Sequence, residues 1–354
     1  MKQNYCIIMA GGIGSRFWPL SKDNYPKQFL DILGTGKSFI RSTFDRFLPI
    51  VPAENFLVVT NAAYKDLVLE HLPQIKAEQV LCEPMRRNTA PCIAYATYHI
   101  MAECSNANIV VTPADHLVTN EVEFQNIISK GFDFVSSDEQ SDSLLTIGIR
   151  PSRPETGYGY IQVNDHSTAE IGKVVKVKSF TEKPNHEKAV QFLSEGNYFW
   201  NSGIFIWSLK GIKNAFDTYL PEIVSVFDQG KEAFGTEHEQ TFINNKFADC
   251  PNISIDYGVM EKSPNTYTIP ADFGWSDIGT WGSLFTHAAK DDDNNACSGK
   301  AVLVDTTNTI VNIQEGTEAV VQGLENYLVA YRDNSLLICK LHDEQKIKEW
   351  ITKL

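Results

Sequence analysis

Short, continuous apolar runs alternate with stretches of helical periodicity through the first half of the chain. Residues 5–10, 56–60, 80–82, 108–112 and 144–149 read as buried strands, and helices are expected at 62–71, 88–104 and 121–137. This alternation predicts a mostly parallel sheet with helices on both faces, and ligands beyond the carboxyl ends of its strands. From about 150 to 285 the pattern loosens. Strands are expected at 158–164, 173–181 and 202–207, and helices at 185–195 and 208–219.

The polar run 290–295 marks a boundary, so the expected domains are 1–290 and 291–354. Beyond it, β runs at 301–304, 309–311, 319–321, 327–330 and 336–339 recur about every ten residues. They predict a small all-β module, with a few β-helical coils as one form of it. Ile347, Trp350, Ile351 and Leu354 share one face of a closing amphipathic helix.

The first strand opens into Gly11-Gly12-Ile13-Gly14-Ser15-Arg16, with Pro26-Lys27 following. Glycines there let backbone N–H groups approach an anion, and the two cations add fixed positive charge. A dinucleotide loop needs a third glycine where Phe17 stands. A Walker loop ending at Gly36-Lys37-Ser38 needs a glycine where Asp31 stands, so 34–37 reads as a turn before a helix. A phosphate cradle and a glycine-rich turn with two solvated cations both remain open on these residues alone.

Charge sharpens this picture. The chain has 354 residues and a net charge of −13, which argues against a nucleic-acid surface. Its first 37 residues run the other way, with Lys2, Arg16, Lys22, Lys27 and Lys37 against Asp23 and Asp31. A local positive field in an acidic protein suits a small anionic ligand. Seven cysteines without a C-x-x-C pair point to a reducing, cytoplasmic setting with neither disulfides nor a zinc site. The short N-terminal apolar run is not expected to be a signal peptide, and no stretch has the length of a membrane span.

The motifs then converge. Residues 8–21 (IMAGGIGSRFWPLS) with 26–30 (PKQFL) resemble the signature of the sugar-nucleotide pyrophosphorylases, and Trp-Pro-Leu-Ser and Pro-Lys-Gln-Phe resemble its mannose-1-phosphate guanylyltransferase branch. The resemblance continues through Glu83-Pro84, 87–91 (RNTAP), 113–116 (PADH), 155–161 (ETGYGYI), 180–184 (FTEKP), 201–205 (NSGIF) and 275–281 (WSDIGTW), in the family's order. Phe17 and Ser15 depart from the commoner Leu and Thr but preserve size and polarity. The resemblance implies an α/β, Rossmann-like and GT-A-like nucleotidyltransferase domain, mostly parallel or mixed in its sheet, before the β module. It implies GMP transfer from GTP to mannose 1-phosphate, giving GDP-mannose and pyrophosphate, with Mg²⁺ as cofactor. Another hexose 1-phosphate or another NTP stays open. A catalytically silent paralogue is disfavoured, because Arg16, Lys27, Asp115 and Asp277 are all present.

The resemblance also assigns roles. Ala10, Gly11, Gly12, Gly14 and Ser15 would meet the triphosphate, Arg16 its β- and γ-phosphates, and Lys27 the region of the α-phosphate. Asp115 and Asp277 would hold Mg²⁺, and Asp115 also belongs to the nucleotide site; each reads otherwise as a cap or turn residue. Glu83, Arg87, Asn88 and Thr89 would form the guanine pocket, although Asn88 and Thr89 also suit a helix cap. Gly159, Glu182, Lys183, Asn201, Ser202 and Asp256 would hold the sugar phosphate, against the reading of Glu182-Lys183 as an exposed strand end. His116 would support Asp115. The closing helix is expected to pack on the catalytic domain or on a partner subunit, because Trp350 and Ile351 would be exposed in isolation; a homodimer is expected, with neither nucleic-acid nor membrane partners.

Overall fold

The computed structural model describes residues 3–164 and 169–354. Lys2, counted above in the basic N-terminal stretch, lies outside the described residues. In chain order the strands are β1 (Gln3–Met9), β2 (Phe56–Asn61), β3 (Val80–Glu83), β4 (Ala107–Pro113), β5 (Leu117–Val118), β6 (Leu144–Ile149), β7 (Tyr160–Val163), β8 (Val175–Thr181), β9 (Tyr198–Ser208), β10 (Thr266–Ala271) and β11 (Trp275–Ser276). They continue as β12 (Ala296–Ser298), β13 (Lys300–Val304), β14 (Ile310–Ile313), β15 (Glu318–Gln322), β16 (Tyr327–Arg332) and β17 (Ser335–Lys340).

Packing divides the chain into two compact units. The first comprises Met1–Gly11, Thr43–Ala114 and Val118–Trp275. It is built on a nine-stranded sheet in the order β3-β2-β1-β4-β9-β6-β10-β8-β7. Strands β3, β2, β1 and β4 run parallel, as their continuous apolar runs predict, and β6 pairs parallel with β10. Antiparallel β9 joins these two parallel sets, so the sheet is mixed. Helices Thr89–Glu103 and Leu209–Tyr219 bury apolar faces in the main core with Tyr5, Ile7, Ile109 and Trp207.

The second unit comprises Gly12–Ser42, Asp115–Leu117 and Ser276–Leu354. Residues 12–42 and 276–290, expected in the first domain, therefore group with the C-terminal module. The reason is a shared apolar cluster: Phe17, Leu20, Phe39 and Trp281 pack with Ile310, Leu328, Leu337 and Ile347. Within the module β12, β14 and β16 are parallel, and so are β13 and β15. Ala296 pairs with Ile310 at an offset of 14 residues, while Ile310 pairs with Leu328 and Lys300 with Glu318, an offset of 18 in each pair. The corners repeat at the same offset: Asp305 and Gly323, then Asn308 and Asn326, all have positive φ. The chain thus winds in stacked coils, which the antiparallel strand β17 ends. The terminal helix is shorter than its apolar face predicted, Ile347–Ile351 after a 3₁₀ stretch.

Candidate active site

In the second unit the glycine loop is pinned at Ile13. The Ile13 carbonyl accepts from the Lys27 N–H at 3.2 Å and from the Ser21 hydroxyl. Gly14 has φ 71°, and a Cβ there would stand 2.5 Å from the Lys27 Cβ, so both backbone and space demand glycine. Gly12 differs: a Cβ there would meet no described atom within 4 Å. Ser15 begins the 3₁₀ turn Ser15–Phe17 and is half-buried, while Arg16 is exposed. The Arg16 side chain makes no hydrogen bond or ion pair among the described residues. Phe17 packs on Trp281 with centroids 5.3 Å apart, which gives the larger ring a place.

Lys27 lies under this loop with its side chain 4% exposed. Its Nζ is 2.9 Å from Asp115 Oδ2, 3.0 Å from the Asp115 carbonyl and 2.7 Å from the Asp277 carbonyl. The rings of Phe17 and Phe39 lie 5.7 and 5.0 Å away. Burial works to raise the Asp115 pKa, but Lys27 and then His116 outweigh it and hold the carboxyl below its ordinary value. The Asp277 Oδ1 accepts from the Gly279 N–H at 3.0 Å, a turn contact. Thr280, not Asp277, caps the following helix Trp281–His287. Nearby in sequence, Asp31 accepts from the Thr35 and Gly36 N–H groups at 2.9 and 2.6 Å. A protein carboxylate thus occupies the nest that a Walker loop offers to phosphate.

The remaining nucleotide candidates lie in the first unit. Ala10 extends β1: its N–H donates to the Val59 carbonyl at 2.8 Å, and its carbonyl accepts from Thr60 Oγ1 at 2.9 Å. A Cβ on Gly11 would stand 3.8 Å from Glu83 Oε2. Glu83 ends β3, and its Oε1 is buried without a hydrogen-bond partner among the described residues. Burial pushes its carboxyl up to about 8, against a Cys92 hydrogen bond and the Arg86 charge. Asn88 stands at φ 67° and caps Thr89–Glu103 through the Thr89 N–H. Thr89 Oγ1 accepts from the Ile255 N–H at 2.9 Å, so it braces the segment leading to Asp256. Arg87 donates to the Ala248 carbonyl at 2.6 Å.

The sugar-side candidates also lie in the first unit, and all but Ser202 present polar groups to one another. A Cβ on Gly159 would run into Glu182 Oε2 and stand 3.3 Å from Asn201 Cβ. Asn201 donates to Asp256 Oδ1 at 2.9 Å and accepts from Thr146 Oγ1 at 2.9 Å. Lys183, exposed at φ 47°, pairs with Glu182 Oε1 at 2.8 Å. Burial, then the Glu182 charge, push Asp256 up to about 7. Ser202 differs from its expected role. It is buried, and its hydroxyl donates to the Ile147 carbonyl at 2.9 Å, so its side chain braces the sheet.

Sequence reasoning missed Glu344. Its Oε2 accepts from the Gly282 N–H at 2.8 Å, within the first turn of the helix after Asp277, and its carboxyl interacts with Arg16. No local pattern signals a partner 62 residues away. Thr280 and Ser283 form a capping box at the same helix, with Ser283 where the usual signature carries Glu or Gln.

Residues 5–294 match the family model described as nucleotidyl transferase. The chain is similar to the mannose-1-phosphate guanylyltransferase of Escherichia coli, at 33% identity over 98% of this chain and 75% of the relative. The xanthan biosynthesis protein XanB of Xanthomonas campestris is also 33% identical, over 98% of this chain and 72% of that protein. Among solved structures, the Thermus thermophilus protein titled mannose-1-phosphate geranyltransferase superposes with a TM-score of 0.86 at 27% identity, covering 99% of both chains. A Helicobacter pylori structure titled mannose-6-phosphate isomerase superposes at 0.61 with 26% identity, over 77% of this chain and 99% of that one. Together with the mixed sheet and the glycine loop after its first strand, these matches show that the chain belongs to the nucleotidyl transferase family.

Proposed function

We propose that this enzyme transfers GMP from GTP to α-D-mannose 1-phosphate, giving GDP-mannose and pyrophosphate. The observation that carries the phosphate chemistry is the cluster of Lys27, Asp115 and Asp277 beneath a glycine loop with open space at Gly12. The choice of mannose and guanine is supported by the names of relatives one-third identical over nearly the whole chain.

In this reading a phosphate oxygen of the sugar attacks the α-phosphorus of GTP, and pyrophosphate leaves in line. The nucleophile is already ionised at neutral pH, so no general base is needed. The loop's work is to align two polyanions through backbone N–H groups of Gly11, Gly12 and Gly14, with Ala10 and Ser15 shaping the loop. Arg16 forks onto the β- and γ-phosphates and offsets charge on the leaving group. Glu83 offers a buried oxygen, Oε1, without a partner among the described residues, that suits an N–H donor of guanine, with Arg87, Asn88 and Thr89 shaping that pocket. Glu182, Asp256 and Asn201 address sugar hydroxyls beside Gly159, Lys183 addresses the sugar phosphate, and Ser202 braces the adjoining strand.

The donor set suits magnesium. Asp115 and Asp277 provide hard carboxylate oxygens, and no cluster of three His, Cys, Asp or Glu side chains that could hold a metal ion is present among the described residues. An ion there would need phosphate and water to complete its shell, as Mg²⁺ accepts. Bound Mg²⁺ would offset phosphate charge. No helix among the described residues is long and apolar enough to cross a membrane. We propose a homodimer, supported by the exposed Val302 and Val320, which face each other across β13 and β15; light scattering should return twice the chain mass. Assay of four NTPs against a panel of hexose 1-phosphates tests the reaction. GTP with mannose 1-phosphate should give the highest kcat/KM, and a preference for UTP or dTTP sinks the guanine assignment.

A further inference from the structure

We propose that the Lys27 ammonium is a built-in cation that stands in for the divalent metal in the free enzyme and is displaced when metal and nucleotide enter. This rests on the reading of the site as a nucleotidyl-transfer centre. An ammonium has three N–H donors. Lys27 directs them to three acceptors, Asp115 Oδ2, the Asp115 carbonyl and the Asp277 carbonyl. Its side chain is nearly sealed from water. In this state no donor remains for a phosphate, although the family signature places this lysine at the α-phosphate.

The acceptors explain the arrangement. One carboxylate oxygen and two carbonyl oxygens make the hard-oxygen surround that also suits a small divalent cation. A carboxylate drawn partly out of water needs a counter-charge, and Lys27 supplies it within the protein. The stem is held from behind, by the Lys27 N–H bond to Ile13 and by close approach to Gly14. The head can therefore exchange partners while the backbone stays fixed. A metal on Asp115 and the ammonium on Asp115 compete for the same oxygen. An incoming triphosphate offers the released ammonium a new partner. Metal and nucleotide then bind with positive coupling, because each removes the cost of the other's displacement.

The test is Mn²⁺ binding to the full chain, followed by electron paramagnetic resonance without nucleotide, in the wild type and in Lys27→Met. The variant keeps an apolar stem of similar length and deletes the charge. It should bind Mn²⁺ at least about tenfold more tightly than the wild type while losing turnover. Equal Mn²⁺ affinities in a folded Lys27→Met overturn the proposal. If the variant does not fold, ¹⁵N-lysine NMR of the wild type decides. A slowly exchanging Lys27 ammonium signal should be present in the free enzyme and shift when Mg²⁺ and a GTP analogue with a methylene α,β-bridge are added. A signal that does not move overturns the proposal. GTP turnover alongside equal Mn²⁺ affinities would reject the displacement and leave the guanylyl-transfer reading. Tighter Mn²⁺ binding in Lys27→Met, with a wild type that turns over no NTP, would do the reverse.

Discussion

Gly12 and Gly14 sit two residues apart and are glycines for different reasons. Gly14 is required by the protein, since its φ is left-handed and the Lys27 stem occupies the place of a side chain. Gly14→Ala should cost about 2 kcal/mol or more in urea unfolding. Gly12 faces open space. Gly12→Ala should leave stability within about 0.5 kcal/mol and, on the proposed function, lower kcat/KM for nucleotide about tenfold or more, because the methyl would take the room proposed for phosphate. The buried carboxyls give a pH signature. Glu83 and Asp256 have folded-state values of about 8 and about 7, above the ordinary 4.5 and 3.8. Each therefore favours its protonated form in the fold. The stability it contributes is complete below the ordinary value and is lost as pH rises through the folded one. Denaturation midpoints should fall from about pH 5 to about pH 8, and Asp256→Asn should reduce that fall.

At the scale of elements, the short helix Trp281–His287 is set by both near and distant residues. Thr280 and Ser283 cap it locally, and Glu344 holds the Gly282 N–H from the C-terminal segment. Glu344→Ala should cost about 1 kcal/mol in unfolding and lower kcat, since the turn carrying Asp277 loses a brace and Arg16 loses a neighbouring charge. Denaturation and steady-state kinetics on the same preparation check both. Elements were legible where their patterns were self-contained. Strands β1, β2, β4 and β6 are continuous apolar runs, and each was read within two residues of its ends. Strand β9 begins at Tyr198, four residues before the run expected at 202, because Asn201 interrupts its apolar pattern. Strand β10 escaped reading because Thr-Tyr-Thr-Ile-Pro-Ala carries a proline and little apolar continuity. Its partners in the sheet, not its own pattern, make it a strand.

For the whole molecule, the apolar cluster of the second unit ties the glycine-loop segment to the C-terminal coils. Ile347 is fully buried there, with Trp350 and Ile351 packed against the same cluster. Deleting 341–354 should therefore expose that cluster, raise binding of an apolar dye and abolish turnover, even though the deleted residues carry no proposed ligand contact. We propose that the exposed run 290–294 is nonetheless where limited proteolysis first cuts, since no buried residue interrupts it. Local sequence was enough to determine the alternating α/β half, the recurrent β module, the glycine loop and the order of the motifs, because each is written in neighbouring residues as period, turn chemistry or charge. It also marks 34–37 as a turn and not a Walker loop, since Asp31 stands where the first glycine of such a loop belongs. The partners of Lys27, the brace from Glu344, the inward turn of Ser202 and the grouping of residues 12–42 with 276–354 were decided by tertiary structure alone. Each is a contact across tens to hundreds of residues, and the cost of closing such loops is repaid by burial that no local pattern records.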